Sequence, residues 1–379
     1  MKIGIDIRLI GKKRTGDEVV FFNLVKNLAR LDTVHIFELF TDIVDKEILQ
    51  EISQDLGIVE RNNFKIISLP TKNKFSWNFW TLPKYLKTNP VDIYLTQYIT
   101  PFFVPRSVKI VTIIHDISFN FFPQFIKFSD LIFLKTLIPL SLRRADKVIG
   151  VSKFTRDELI KFYKLDAEKV DYIYNAIGDD FLNIPPSLEE RKAVCEKYQL
   201  PEKFFLYLGT LQPRKNIPHL IEAFNRIKDR LDGEKLVICG NLTAHNCDKK
   251  IKETVKRHEL EEDVIFPGFI AEKDKVAIFA QARAFVFPSL YEGFGIPPLE
   301  AMSQGVPVLA ADIPSLREVA GEGALYASPR EVENFAERLY NLNKDEELRA
   351  KLIQSGKARI SFFSWEKSAR QLLAIFEKM

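Results

Sequence analysis

Short β-branched and aromatic runs alternate with longer stretches of helical spacing along the whole chain, and no other feature narrows the fold as far. The runs at 2–7, 34–40, 64–69, 91–96, 108–114 and 147–151 read as strands, and 19–31 and 152–164 carry the helical period between them. Strand–helix alternation of this kind makes a parallel sheet with helices packed on its faces. Ser152 suits a helix N-terminus, with Asp157 and Glu158 early in the helix it opens. A Pro-Pro pair at 185–186 and a charged helix at 188–198 interrupt the pattern. A second series then runs through strands at 204–208, 236–239, 264–266, 284–288 and 306–310, with helices at 217–231, 273–280, 298–304 and 332–342.

The expected fold class is α/β: two Rossmann-like, doubly wound parallel-sheet domains facing a central cleft, with ligands at the C-terminal ends of the strands. A chain of 379 residues is the right length for two such domains. The expected division is 1–185 and 186–361, with a closing helix at 362–379 long enough to return to the first domain.

Composition excludes several classes of protein. Lys and Arg total 55 against 51 Asp and Glu, an excess of +4 that is far from a nucleic-acid-binding balance, so nucleic acid is not an expected partner. The opening Met1-Lys2-Ile3-Gly4-Ile5-Asp6 has an acid in its apolar run and no cleavage site, which points to a cytoplasmic protein. Cys195, Cys239 and Cys247 have neither zinc-site spacing nor an even count, so reduced thiols are expected. Stretch 131–142 is the nearest to a spanning helix and is broken by Lys135 and Pro139, so any membrane contact would be peripheral. Aromatic and basic residues gather in 72–87 (Trp77, Phe79, Trp80, Tyr85) and in 119–135 ahead of Arg143-Arg144, a mixture that suits an interfacial surface although aromatic stripes usually belong to a core.

The richest segment runs Pro288-Ser289-Leu290-Tyr291-Glu292-Gly293-Phe294-Gly295-Ile296-Pro297-Pro298-Leu299-Glu300, a strand end passing through a glycine loop into a helix. Gly293 and Gly295 let backbone amides approach a ligand, and Pro298 suits the first turn of a helix whose free amides favour phosphate. Upstream, Tyr207-Leu208-Gly209-Thr210-Leu211-Gln212-Pro213-Arg214-Lys215-Asn216 sets two cations at the end of a strand. A forked guanidinium beside a compact ammonium can neutralise a diphosphate leaving group. In the first half, His115-Asp116 follows the apolar run 110–114, placing His115 at a sheet edge with Asp116 as a candidate to orient its imidazole.

These strings, with Gly305-Val306-Pro307-Val308, Gly150-Val151-Ser152 and Tyr174-Asn175-Ala176, resemble the retaining family 4 glycosyltransferases, whose fold is GT-B. The resemblance implies that 1–185 binds the acceptor and 186–361 the nucleotide-sugar donor. It further implies that Glu292 contacts the donor sugar and Glu300 the ribose, that the amides of Gly293, Phe294 and Gly295 face sugar and diphosphate, and that Gly209, Thr210, Arg214 and Lys215 hold the diphosphate. His115 would contact the donor sugar near the reacting centre, and Gly16 would lie in the glycine-rich loop 11–18 by donor phosphate and acceptor. Two departures stand out: Thr210 where many members have Arg, and Asp17-Glu18-Val19 where members often carry a second glycine and an Arg-aromatic pair.

Pro213-Arg214-Lys215-Asn216 is similar to the form found in members that use GDP-mannose, with UDP-sugars behind it, and the acceptor is expected to be a glycan or lipid-linked sugar at the inner membrane face. No cofactor and no obligatory metal are expected. A nucleotide-sugar epimerase and a non-catalytic sugar-nucleotide-binding protein remain open as alternatives. A nicotinamide oxidoreductase would need a Gly-any-Gly-any-any-Gly turn after the first strand, which this chain lacks.

Overall fold

The structure is a computed structural model that describes residues 1–12, 16–183, 185–244 and 246–379, and the backbone alone at Lys74. Two sheets, every strand parallel to its neighbours, organise the chain. The first comprises β1 (Lys2–Asp6), β2 (Ile36–Thr41), β3 (Phe64–Ser68), β4 (Ile93–Gln97), β5 (Lys109–Ile114), β6 (Lys147–Gly150) and β7 (Val170–Tyr172), in the order β3-β2-β1-β4-β5-β6-β7. The second comprises β8 (Phe204–Leu208), β9 (Lys235–Cys239), β10 (Val264–Gly268), β11 (Ala284–Phe287), β12 (Val308–Ala311) and β13 (Ala324–Ala327), in the order β10-β9-β8-β11-β12-β13. In each sheet the order reverses once, beside β1 and β4 in the first and beside β8 and β11 in the second. At such a reversal the loops leave toward opposite faces and open a crevice.

The central strands are buried on both faces, which is why they read as unbroken apolar runs. Ile3, Ile5, Phe37 and Leu39 are fully buried in the first sheet, as are Phe205, Leu206, Phe285 and Val286 in the second. Helices close the faces with ordinary capping chemistry: Ser152 Oγ accepts from Thr155 N at 2.9 Å, and Ser187 and Glu190 form a reciprocal box.

The expected strand series omits β7 and β13. Both lie at sheet edges, and β13 is Ala-Leu-Tyr-Ala, a composition with little β-branching to mark it. Residues group into two compact units, Met1–Asn175 with Ser364–Met379, and Ala176–Phe363. The division falls ahead of Pro185-Pro186 because the short helix Asp179–Leu182 already packs in the second unit: Phe181 meets Phe279 edge-on at 5.7 Å, and Gln304 donates to the Phe181 carbonyl at 3.3 Å. The closing helix, Trp365–Glu377, belongs to the first unit. It packs on helix Gly16–Arg30 through a buried face that includes Leu372 and Phe376, and Ser368 donates to the Tyr174 carbonyl at 2.5 Å.

Candidate functional site

In the second unit the reversal between β8 and β11 brings the two loops of interest side by side, because their parent strands are hydrogen-bonded neighbours. After β8, Tyr207 donates to the Thr210 carbonyl at 2.7 Å, and a tight turn over Pro213–Lys215 presents Arg214 and Lys215. Asn216 adopts a left-handed conformation with φ 61°, and its amide donates to the carbonyls of Pro288 at 3.2 Å and Pro329 at 2.8 Å. Leu290 N donates to the Arg214 carbonyl at 2.9 Å. The two loops are thereby stitched together by main-chain and amide bonds, not by the charged groups alone.

Glu292 is the centre of the charge cluster. Lys215 Nζ bonds Glu292 Oε1, and Arg214 Nη1 donates to Glu292 Oε2 at 3.2 Å and to the Tyr291 carbonyl at 3.0 Å. Glu292 and Lys215 are both buried. Burial pushes the Glu292 carboxyl up, but the Lys215 and Arg214 charges outweigh it and hold the group at about 2. Glu292 is therefore an anion at every working pH and has no proton to donate. The cations in turn are aimed by it, which fixes two flexible side chains before a ligand arrives.

Glu300, about one turn into helix Ile296–Ser303, contrasts with it. Among the described residues no hydrogen-bond donor reaches its carboxylate. Burial raises it to about 7, opposed by Lys275 and reinforced by Glu272. The sign for stability follows. Between the ordinary value of 4.5 and about 7, the unfolded chain has lost a proton that the folded chain keeps, so Glu300 makes stability fall as pH rises across that window. Glu300→Gln is expected to flatten the denaturation midpoint between pH 5 and 7, measured by urea unfolding at stepped pH. Glu292, with its depressed value, acts in the opposite sense: its stabilisation is present above about 4.5 and lost as pH falls toward 2.

Gly295 caps helix Ile296–Ser303 with φ 98°, and a Cβ there would sit 2.7 Å from Leu316 Cδ2. The helix begins at Ile296, so Pro297 and Pro298 lie within its first turn, where a missing amide hydrogen costs nothing. Phe294 turns its ring into the core against Phe363, edge-on at 5.4 Å, so a ligand would meet its backbone and not its side chain. Gly293 is buried, and Thr210 is exposed.

The first unit holds the second group of residues. His115 follows β5 and is buried. Its Nε2 lies 2.7 Å from Gln97 Oε1 at the end of β4, and its Nδ1 lies 3.8 Å from an Asp17 carboxylate oxygen on helix Gly16–Arg30. The expectation that Asp116 orients the imidazole is corrected: the Asp116 carboxylate accepts from Ser118 N at 2.9 Å and Ser118 Oγ at 2.7 Å, just ahead of the short helix Ser118–Phe121, while Gln97 and Asp17 face the ring nitrogens. Gln97 carries no signal in its own segment. It becomes visible only once β4 is known to lie beside β5, with Gln97 paired to Ile113. Gly16 is exposed, and a Cβ on it would meet nothing within 4 Å; Lys13, Arg14 and Thr15 of the same loop lie outside the described residues.

Beside Gln97 a polar cavity of about 280 Å³ is lined by Asp6, Arg8, Leu9, Lys12 and Asp42. Arg8 grips Asp6 through Nε at 2.9 Å and Nη2 at 2.7 Å and lies 4.4 Å over the Trp77 ring, and buried Tyr94 donates to Asp6 at 3.2 Å. Fixed carboxylates and a clamped guanidinium at the end of β1 suit hydroxyl-rich ligands. Among the described residues no group of three or more His, Cys, Asp and Glu side chains is placed to hold a metal ion.

Two parallel-sheet units, the second offering a glutamate-centred cation pair at its strand reversal, define a glycosyltransferase of GT-B fold. The family models agree: one for Glycosyl transferases group 1 matches residues 191–359, and one for Glycosyltransferase Family 4 matches 14–181. The chain belongs to the group 1 glycosyltransferases. O-antigen chain mannosyltransferase B of Escherichia coli is 32% identical over 278 residues, covering 73% of this chain and 72% of that protein. O-antigen chain mannosyltransferase RfbU of Salmonella typhimurium is 26% identical over 345 residues, 90% of each chain. Among solved structures, Anabaena Alr3699/HepE in complex with UDP-glucose aligns over 100% of both chains with a TM-score of 0.76 and 19% identity, a likeness of fold.

Proposed function

We propose that this chain transfers a hexose, mannose from GDP-mannose, with retention of configuration, to a glycan or lipid-linked acceptor in cell-surface polysaccharide synthesis. The observation that carries the reading is the contrast between the two glutamates: Glu292 already paired with Arg214 and Lys215, Glu300 half-buried with no donor among the described residues. A diphosphate at the turn of Pro213–Lys215 would add anionic charge to cations held by a single carboxylate. A ribose hydroxyl would supply the donor that Glu300 lacks. The mannosyltransferase names of the relatives support the choice of sugar.

In the reaction the bond from the anomeric carbon to the diphosphate oxygen breaks, and a bond to an acceptor hydroxyl oxygen forms, with loss of the hydroxyl proton. Arg214, Lys215 and the amides of Gly293–Gly295 would stabilise the departing diphosphate, an electrostatic task that needs no proton from Glu292 and no obligatory metal. With Thr210 where many members have Arg, Arg214 takes the guanidinium role. His115, held by Gln97 and Asp17, would face the sugar, and the Asp6–Arg8 cavity would take acceptor hydroxyls.

If ribose donates to ionised Glu300, binding must expel the proton that Glu300 carries below about 7. Donor affinity is expected to rise with pH up to about 7 and then level off, approaching tenfold per pH unit well below it, with Glu300→Gln weak and flat. Titration calorimetry in buffers of different ionisation enthalpy reads the proton directly. The transfer itself is tested by incubating the chain with radiolabelled GDP-mannose and bacterial membrane extract, with and without chelator, and determining the anomeric configuration of the product by NMR. Label in the lipid-linked fraction with the α configuration of the donor supports the reading. Epimerised or hydrolysed sugar without an acceptor would replace it with the epimerase, and binding without turnover with the non-catalytic protein.

A further inference from the structure

Helix Phe128–Arg144 of the first unit turns apolar residues outward. Only Ile138, Ser141 and Leu142 are buried, whereas Phe128 is 77% and Ile132 51% exposed, one helical turn apart. Next to it lies the helical segment Lys74–Thr88, whose Phe75 meets Phe133 edge-on at 5.2 Å. From there the surface continues through Trp80, 65% exposed, and Phe79, which stacks on Phe102 at 4.8 Å and touches Phe103, 60% exposed. Trp77, by contrast, is wholly buried, so the aromatic cluster divides between a core role and a surface one. Large exposed rings on three adjoining segments form a patch that a monomer in water has no reason to keep.

The charge around the patch selects its partner. Residues 72–144 carry ten Lys and Arg, three Asp and no Glu, in a chain whose overall excess is only +4. Lys72, Lys84, Arg106, Lys127, Lys135 and Arg143 are exposed. Two copies of so basic a face would repel one another, which disfavours self-association through it. Aromatic rings that insert at the head-group level, with exposed cations on the same segments, match an anionic lipid surface. No helix among the described residues is long and apolar enough to cross a membrane, so the contact would be with the interface. We propose that this face of the first unit docks on an anionic bilayer, with Phe128, Ile132, Trp80 and Phe103 as the inserting residues. The proposal does not rest on the donor or the transferase reading, since lipid binding is measured without turnover.

The test is co-sedimentation of the full chain with phosphatidylglycerol–phosphatidylethanolamine vesicles and with phosphatidylcholine vesicles, at low and near-physiological salt. The expected result is partition onto the anionic vesicles, weakened by salt, and at least about tenfold weaker for Phe128→Asp/Ile132→Asp and for Trp80→Ala/Phe103→Ala. Lys127→Glu/Lys135→Glu is expected to lose most of the anionic preference, and circular dichroism melts establish that each variant is folded. Equal partition of the parent and both apolar variants, or no partition of the parent, overturns the proposal. So does a concentration-dependent dimer, seen by light scattering, that the same substitutions abolish while vesicle binding persists.

Discussion

Glu292→Gln is expected to lower kcat/KM for sugar transfer by about 10²–10³ and to destabilise the chain by about 3–5 kcal/mol. Both effects have one origin. Arg214 and Lys215 meet on Glu292 in a buried setting, and an amide leaves two cations without their anion. The stability loss comes from the stranded cations more than from the missing bonds, so relieving one of them should recover much of it. Glu292→Gln/Lys215→Met is accordingly expected to be more stable than Glu292→Gln while gaining no activity over it. Urea denaturation and steady-state kinetics on the parent, Glu292→Gln, Lys215→Met and the double variant separate the two roles. A double variant destabilised by the sum of its parts would show that the charges do not act as a unit.

Gly240→Ala carries the second large expectation although Gly240 touches no candidate ligand. A Cβ at this residue, just past β9, would press into the Gly209 carbonyl oxygen and sit 2.8 Å from Leu211 Cγ. Gly209–Leu211 is the start of the loop that aims Arg214 and Lys215, and its backbone cannot retreat freely: Gly209 N is bonded to the Cys239 carbonyl at 3.1 Å and Tyr207 holds the Thr210 carbonyl. The expected cost is about 1–3 kcal/mol in stability. A displacement of order an ångström at the cations is expected to raise the donor dissociation constant and depress kcat, together by up to about 10²-fold in kcat/KM. Gly178→Ala serves as the control, because a Cβ there meets nothing within 4 Å. Equal behaviour of the two variants in thermal melts and donor titrations would contradict the argument.

The parts of this molecule that were legible from sequence are those whose physics is local. Central strands such as Phe204–Leu208 are buried on both faces and so appear as continuous apolar runs. The loops 209–216 and 288–302 announce themselves because glycine, proline and charge must stand in a fixed order where a strand gives way to a helix. What was not legible depends on neighbours that only the fold supplies. The edge strands Val170–Tyr172 and Ala324–Ala327 are short and take their extended form from pairing with β6 and β12. Residues 176–183 precede Pro185-Pro186 and so fall to the first domain by sequence, yet they are counted into the second unit, where Phe181 packs on Phe279. The partners of His115 come from β4 and from the first helix, whereas sequence adjacency pointed to Asp116. Asp17 itself had been visible only as a departure from the family's loop, and the structure gives that departure a place beside the histidine.

The central claim is that the loops after β8 and β11 form a nucleotide-sugar donor site. The measurement that tests it most directly is isothermal titration of the purified chain with GDP-mannose, UDP-glucose, UDP-N-acetylglucosamine, their nucleoside diphosphates and NAD, with and without magnesium, repeated on Glu300→Ala and Lys215→Ala. The account predicts that one nucleotide sugar, GDP-mannose, binds without metal, that Glu300→Ala removes binding of both the sugar nucleotide and its diphosphate, and that Lys215→Ala weakens both. Undiminished binding to both variants, or binding of NAD alone, would contradict it.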